Sequence, residues 1–266
     1  MSDGSTHDRP LAGKGAVVTG GGRGIGAAIA RFLAAAGASV VVTARSKDQV
    51  ESLAEELSAG GTKAVGVSCD VAEPAQVEAL AEAARDALGQ VDVLVNNAGI
   101  AGSAPLGRIR LEDWNRIFAV NATGTLLCTQ AFAPAMAERG WGRVVNVASV
   151  AGKMGAPYIA SYAASKHAVV GFTRAIAMEL AKTGVTVNAV CPGYVETDMV
   201  AFTVDRIAGK TRLDETQARA TLEAMSPQGR IFTADEVAHL VLSICHPLAG
   251  GINGQALVLD GGAVQS

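Results

Sequence analysis

Aromatic side chains make up only 4% of this 266-residue chain. That removes the stacking platforms on which single-stranded nucleic acids are held. Basic residues are not in excess: 22 Lys and Arg stand against 25 Asp and Glu, a net charge of −3. Charge therefore gives no reason to expect a nucleic acid or an anionic membrane as partner. No run of about 18 apolar residues occurs, so no membrane-spanning helix is expected. The opening MSDGSTHDRP is polar and lacks an apolar stretch. It reads as a disordered tail over 1–10, not as a signal or transit peptide, and the protein reads as cytoplasmic. The four cysteines, Cys69, Cys128, Cys191 and Cys245, lack the spacing of a metal knuckle or redox pair. Their apolar flanks predict buried, reduced thiols and no metal site.

Glycine is abundant, at 31 residues, and 49% of the chain is hydrophobic, enough for a sizeable core. Short Val-rich strands are expected at 15–19, 39–43, 63–69, 91–95, 143–148, 185–191 and 256–259. They are apolar on both faces, as parallel strands covered by helices should be. Helical stretches are expected between them at 24–36, 47–59, 74–88, 111–138, 160–182 and 234–245. The alternation predicts a single α/β domain over 11–266, with a doubly wound parallel seven-stranded sheet of the Rossmann type. The stretch 194–229 breaks the rhythm, being long, charged and without a clear strand. A segment of that kind in a compact domain reads as one or two mobile helices over a site, a substrate lid.

The first strand runs into Gly20-Gly21-Gly22-Arg23-Gly24-Ile25-Gly26, and a helix follows. Glycines there let the backbone approach a pyrophosphate, and the helix N-terminus offers free N–H groups and partial positive charge. No Lys-Ser or Lys-Thr follows the glycines, which excludes a nucleoside triphosphate loop. Tyr162 and Lys166 are i and i+4 on a predicted helix and so share one face. A nearby ammonium favours tyrosinate and is expected to pull the phenol down towards working pH, so that it can give and take a proton.

Together these motifs resemble the short-chain dehydrogenase/reductase family over nearly the whole chain. The glycine spacing in TGGGRGIG, Asn96-Asn97-Ala98-Gly99, Ser149, Tyr162-Ala163-Ala164-Ser165-Lys166 and Cys191-Pro192-Gly193 occur in the family's order. The resemblance implies a catalytic tetrad of Asn121, Ser149, Tyr162 and Lys166. Tyr162 would exchange the proton, Ser149 would hold the reacting oxygen, and Asn121 would hold a water leading to Lys166. Cofactor contacts are implied for Gly20, Arg23, Gly24, Ile25 and Gly26 of the loop, and for Asp70 and Val71 beside the adenine. Asn97, Ala98 and Gly99 follow the fourth strand, and Pro192, Gly193, Val195 and Thr197 lie towards the nicotinamide, with Tyr162 and Lys166. Thr197 could equally cap a helix of the lid.

Family members that use NAD carry an Asp at the end of the second strand. Here Ala44 and Arg45 stand there, and Arg23 is a second cation nearby, a set that suits the 2′-phosphate of NADP(H). Tyr158 and Tyr194 could line the substrate cleft or pack as ordinary aromatics. The stretch 161–198 is similar to bacterial 3-oxoacyl-thioester reductases and polyketide ketoreductases. That implies reduction of a 3-keto group on a CoA or acyl-carrier-protein thioester, by a homotetramer. The alternatives are a carbonyl reductase or secondary-alcohol dehydrogenase acting on free substrates, or a non-catalytic nucleotide-sensing scaffold.

Overall fold

The structure, a computed structural model, describes residues 9–209 and 211–265. Most of the expected N-terminal tail lies outside the described residues. Pro10 opens a turn, and Leu11 is already buried.

Seven strands form one parallel sheet: β1 (Gly15–Thr19), β2 (Ser39–Ala44), β3 (Ala64–Ser68), β4 (Val93–Asn96), β5 (Gly142–Val147), β6 (Val185–Pro192) and β7 (Ala256–Leu259). Their order is β3-β2-β1-β4-β5-β6-β7. The chain reverses direction across the sheet between β1 and β4, the place where open α/β sheets bind ligands. Side chains alternate along each strand, so the sheet divides its valines between two cores. Ala16, Val18, Val40, Val42, Val93 and Val95 point to one face, and Val17, Val41, Leu94 and Val144 to the other. The first face is covered by α1 (Gly24–Ala35), α2 (Lys47–Ala59) and, late in the chain, α9 (Ala234–Cys245). The second is covered by α3 (Pro74–Leu88) and α5 (Gly124–Glu138). The four cysteines are buried and free, as their flanks predict.

The expected single helix over 111–138 is three pieces. These are α4 (Leu111–Phe118), a π turn at Ala119–Thr123 and α5. A π turn leaves a backbone carbonyl out of the regular ladder, and the Thr125 hydroxyl donates to the Asn121 carbonyl at 2.8 Å. The long helix α6 (Ala160–Glu179) carries Tyr162 and Lys166. Between β6 and α9 lie α7 (Asp198–Ala208) and α8 (Glu215–Glu223), in the stretch 194–229 where one or two helices are expected. They share a small core of their own, made by Val200, Val204, Ala218, Leu222 and Ile231. Their base is pinched shut where Phe232 N–H donates to the Tyr194 carbonyl and Glu196 N–H to the Phe232 carbonyl. Among the described residues no helix is long and apolar enough to cross a membrane.

Candidate active site

The glycine loop leaves β1 and enters α1 at the carboxyl ends of the strands. Gly26 is required by a close approach: a Cβ there would lie 2.2 Å from the Gly20 carbonyl oxygen. Asn97 braces the same turn, its Nδ2 donating to the carbonyls of Thr19 at 2.9 Å and Gly20 at 3.1 Å. Thr19 Oγ1 in turn accepts from the backbone N–H groups of Asn97 and Ala98. Asn97 therefore shapes the loop through its side chain. The first turn of α1 has no acidic residue, and Arg23 at its N-cap makes no capping hydrogen bond. An open, uncapped helix N-terminus behind a glycine turn fits a pyrophosphate.

The catalytic candidates converge on the ends of β4, β5 and β6. Ser149 follows β5 and caps a tight turn at Val150–Gly152, its Oγ accepting from Ala151 N–H at 3.1 Å. That leaves its O–H free to donate. The turn packs hard on α6, because a Cβ on Gly152 would lie 2.7 Å from the Lys166 carbonyl oxygen. This contact brings Ser149 close enough to Tyr162 for its hydroxyl to act on the proton affinity of the phenol. Lys166 is buried, with its Nζ donating to the Val147 carbonyl at 2.8 Å and lying 5.8 Å from the centre of the Tyr162 ring.

Burial governs the proton affinities of both residues. The Tyr162 phenol is raised above its usual value by burial, with the Ser149 hydrogen bond acting against that shift. The downward pull expected from Lys166 does not contribute: the one lowering influence on the phenol is Ser149. Burial lowers Lys166 itself to about 8, close enough to neutrality for a proton carrier.

Asn121 sits in the π turn and is 1% exposed. Its Oδ1 accepts from Ile100 N–H at 2.8 Å, while its Nδ2 donates to the Ile100 carbonyl at 2.9 Å and to Ser165 Oγ at 3.0 Å. Ser165 then donates to the carbonyl of Tyr162 at 2.7 Å. The Asn121 side chain thus ties the segment after β4 to the helix that carries Tyr162. Its backbone carbonyl takes the Thr125 hydroxyl. Ser165 escapes the motif reading. Its signal is a Ser three residues after Tyr162 in a helix, where a hydroxyl can bond a carbonyl of the preceding turn.

The other expected contacts fall as follows. Gly99 faces Asn121 and Lys166, each within 3.4 Å of where its Cβ would stand. Pro192 ends β6, and Gly193 N–H bonds the Leu259 carbonyl at 2.9 Å. Val195 is buried, pairing with Phe232, and Thr197 packs its methyl over Gly24. Val71 is buried under the start of α5, and Asp70 caps its own turn by accepting from Ala72 N–H at 3.0 Å. Ile25 is part-buried on α1. Arg45 follows the end of β2 with its side chain exposed. Arg23 has a partner that the sequence does not announce. Its Nη1 meets Asp198, the first residue of α7, at 2.7 Å. The guanidinium expected at a phosphate is here bound to the first residue of α7.

Known proteins share this architecture. The chain is 42% identical to a putative ketoacyl reductase of Streptomyces coelicolor, over 93% of this chain and 95% of that protein. It is 39% identical to the 3-oxoacyl-[acyl-carrier-protein] reductase of Escherichia coli, over 94% of this chain and 97% of that one. Among solved structures it resembles a variant actinorhodin polyketide ketoreductase with NADPH, at TM-score 0.91 and 42% identity over 94% and 97% of the two chains. It also resembles a gluconate 5-dehydrogenase from Burkholderia cenocepacia in complex with NADP and tartrate, at TM-score 0.88 and 36% identity over 96% and 97%. The model of the short chain dehydrogenase family matches residues 14–207. That span is well over half of the 266 residues, and the chain belongs to this family.

Proposed function

We propose that this protein reduces a ketone to a secondary alcohol with NADPH, the ketone being the 3-oxo group of an acyl thioester on CoA or a carrier protein. The observation that carries the reading is the Ser149–Tyr162 hydroxyl pair beside buried Lys166, set next to an uncapped glycine loop. The ketoreductases and the carrier-protein reductase among its relatives favour a thioester over a free ketone. NADPH, when bound, supplies a hydride to the carbonyl carbon.

The chain's own residues handle the oxygen. Ser149 donates a hydrogen bond to it, and Tyr162 delivers the proton that completes the alcohol. A phenol whose burial holds its proton firmly is a competent acid once negative charge gathers on that oxygen. Lys166, lowered to about 8, returns a proton to the tyrosinate. Asn121 and Ser165 fix the helix that holds both. Gly20, Gly24, Ile25 and Gly26 receive the pyrophosphate. Asp70 and Val71 flank the adenine, while Ala98, Gly99, Pro192, Gly193, Val195 and Thr197 surround the nicotinamide end. Arg45 takes the 2′-phosphate, since Ala44 ends β2 without a carboxylate, and Arg23 joins it on leaving Asp198. Segment 194–229 closes over the substrate, and the protein works as a cytoplasmic homotetramer.

The test is NADPH oxidation with acetoacetyl thioesters of CoA and of a carrier protein, compared with acetone and cyclohexanone. Preferred turnover of the thioesters supports the reading. Turnover of the free ketones alone would replace it with a stand-alone carbonyl reductase.

A further inference from the structure

Among the described residues Tyr158 is the one non-glycine with a left-handed backbone, at φ 69°. A bulky side chain is strained there, whereas Gly or Asn adopts that conformation readily. Packing does not account for the tyrosine, because it is 65% exposed. The backbone does not account for it either. Its carbonyl accepts from Ala104 N–H at 2.8 Å, a bond any residue could make. What glycine could not supply at this position is the ring. Strain held in place beside reactive groups is a reason to look for a role in function.

The position is four residues before Tyr162. It stands against segment 103–104, whose other contact comes from the lid: Arg206 Nη2 of α7 donates to the Ser103 carbonyl at 2.7 Å. Phe202 lies one turn before Arg206 on the same face of α7, and Met199 lies three residues before that. Phe202 is 66% exposed and Met199 44%. The lid thus turns an apolar, uncovered face towards the segment that carries the Tyr158 backbone.

We propose that the Tyr158 ring, with Phe202 across from it, receives the acyl arm beyond the reacting carbonyl and selects a flat apolar group, aromatic or conjugated, over a methyl. The assignment rests on the thioester reading given above and names the class of acyl group.

The experiment compares kcat/KM for 3-oxo-3-phenylpropanoyl and acetoacetyl thioesters of N-acetylcysteamine in wild type and in Tyr158→Asn, Tyr158→Gly and Tyr158→Phe. In Asn and Gly the phenyl-over-methyl ratio should fall roughly 10- to 100-fold, the worth of one aromatic contact. Their Tm should rise by about 1–4 °C as strain is relieved. Phe keeps both ring and strain, and should hold the wild-type ratio within about threefold. An unchanged ratio in Asn and Gly, whatever their Tm, would overturn the assignment. If wild type reduces neither thioester, the thioester reading fails. The same ratio measured on benzylacetone and acetone then decides the role of Tyr158 by itself.

Discussion

Lys166 sets how the reaction should respond to pH. Its lowered value, about 8, belongs to a cationic acid, so the ammonium dominates below pH 8 and is lost above it. Ketone reduction needs that proton to restore Tyr162 and should therefore hold to about pH 8 and decline on the alkaline side. Lys166→Arg, whose guanidinium does not release its proton, should slow turnover sharply and remove the limb near pH 8 from the activity that is left. A limb that persists unchanged in the variant would assign it to another group. Cofactor choice is also decided by single residues. Arg45→Ala should weaken NADPH by about 1.5–3 kcal/mol in kcat/KM and leave NADH nearly unchanged. Adding Ala44→Asp should reverse the order by repelling the phosphate. A wild-type preference for NADH would contradict the placement of Arg45. Ser149, Tyr162 and Lys166 are legible in the sequence because their chemistry fixes residue type and spacing together. The Arg23–Asp198 pair is not, since its members lie 175 positions apart and an arginine side chain reaches several partners.

At the scale of elements, a buried polar column runs beneath the site. Asn96 Nδ2 of β4 donates to Asn146 Oδ1 of β5 at 2.8 Å and to Thr129 Oγ1 of α5 at 3.1 Å. Asn146 Nδ2 donates on to Thr173 Oγ1 of α6 at 2.9 Å. The column links two strand ends to the helices that flank them, including α6, which carries Tyr162 and Lys166. Asn146→Ala removes two of these bonds and opens a void, and should cost roughly 2–4 kcal/mol in urea unfolding. A cost below about 0.5 kcal/mol would show that water restores the column. The helices over the site have only their own small core. Amides of 200–230 should exchange faster than those around Tyr162 and slow when cofactor and substrate bind. Equal protection in the free protein would make the segment fixed structure. Strand and helix positions are legible from apolar patterning to within about three residues, the widest miss being the end of α6, expected at 182 and found at Glu179. The π turn at Asn121 is not, because one widened turn barely disturbs the helical period and its cause lies in the contacts with Ile100 and Ser165.

For the whole molecule, the sheet order follows from the alternation of strand and helix together with the handedness of parallel crossovers. That order carries the glycine loop of β1 and the ends of β4, β5 and β6 to one edge, beside the proposed catalytic residues. The proposed lid, α7 and α8, lies in the connection between β6 and α9. Overall shape thus places the proposed chemistry, with Tyr162 as its proposed acid. The most direct measurement is the rate of NADPH oxidation with an acetoacetyl thioester in wild type and Tyr162→Phe, alongside NADPH binding to both. Tyr162 acting as the acid requires turnover by wild type, a loss of at least about 10²-fold in the variant, and unchanged NADPH affinity. A folded Tyr162→Phe protein that binds NADPH and turns over at the wild-type rate would contradict it.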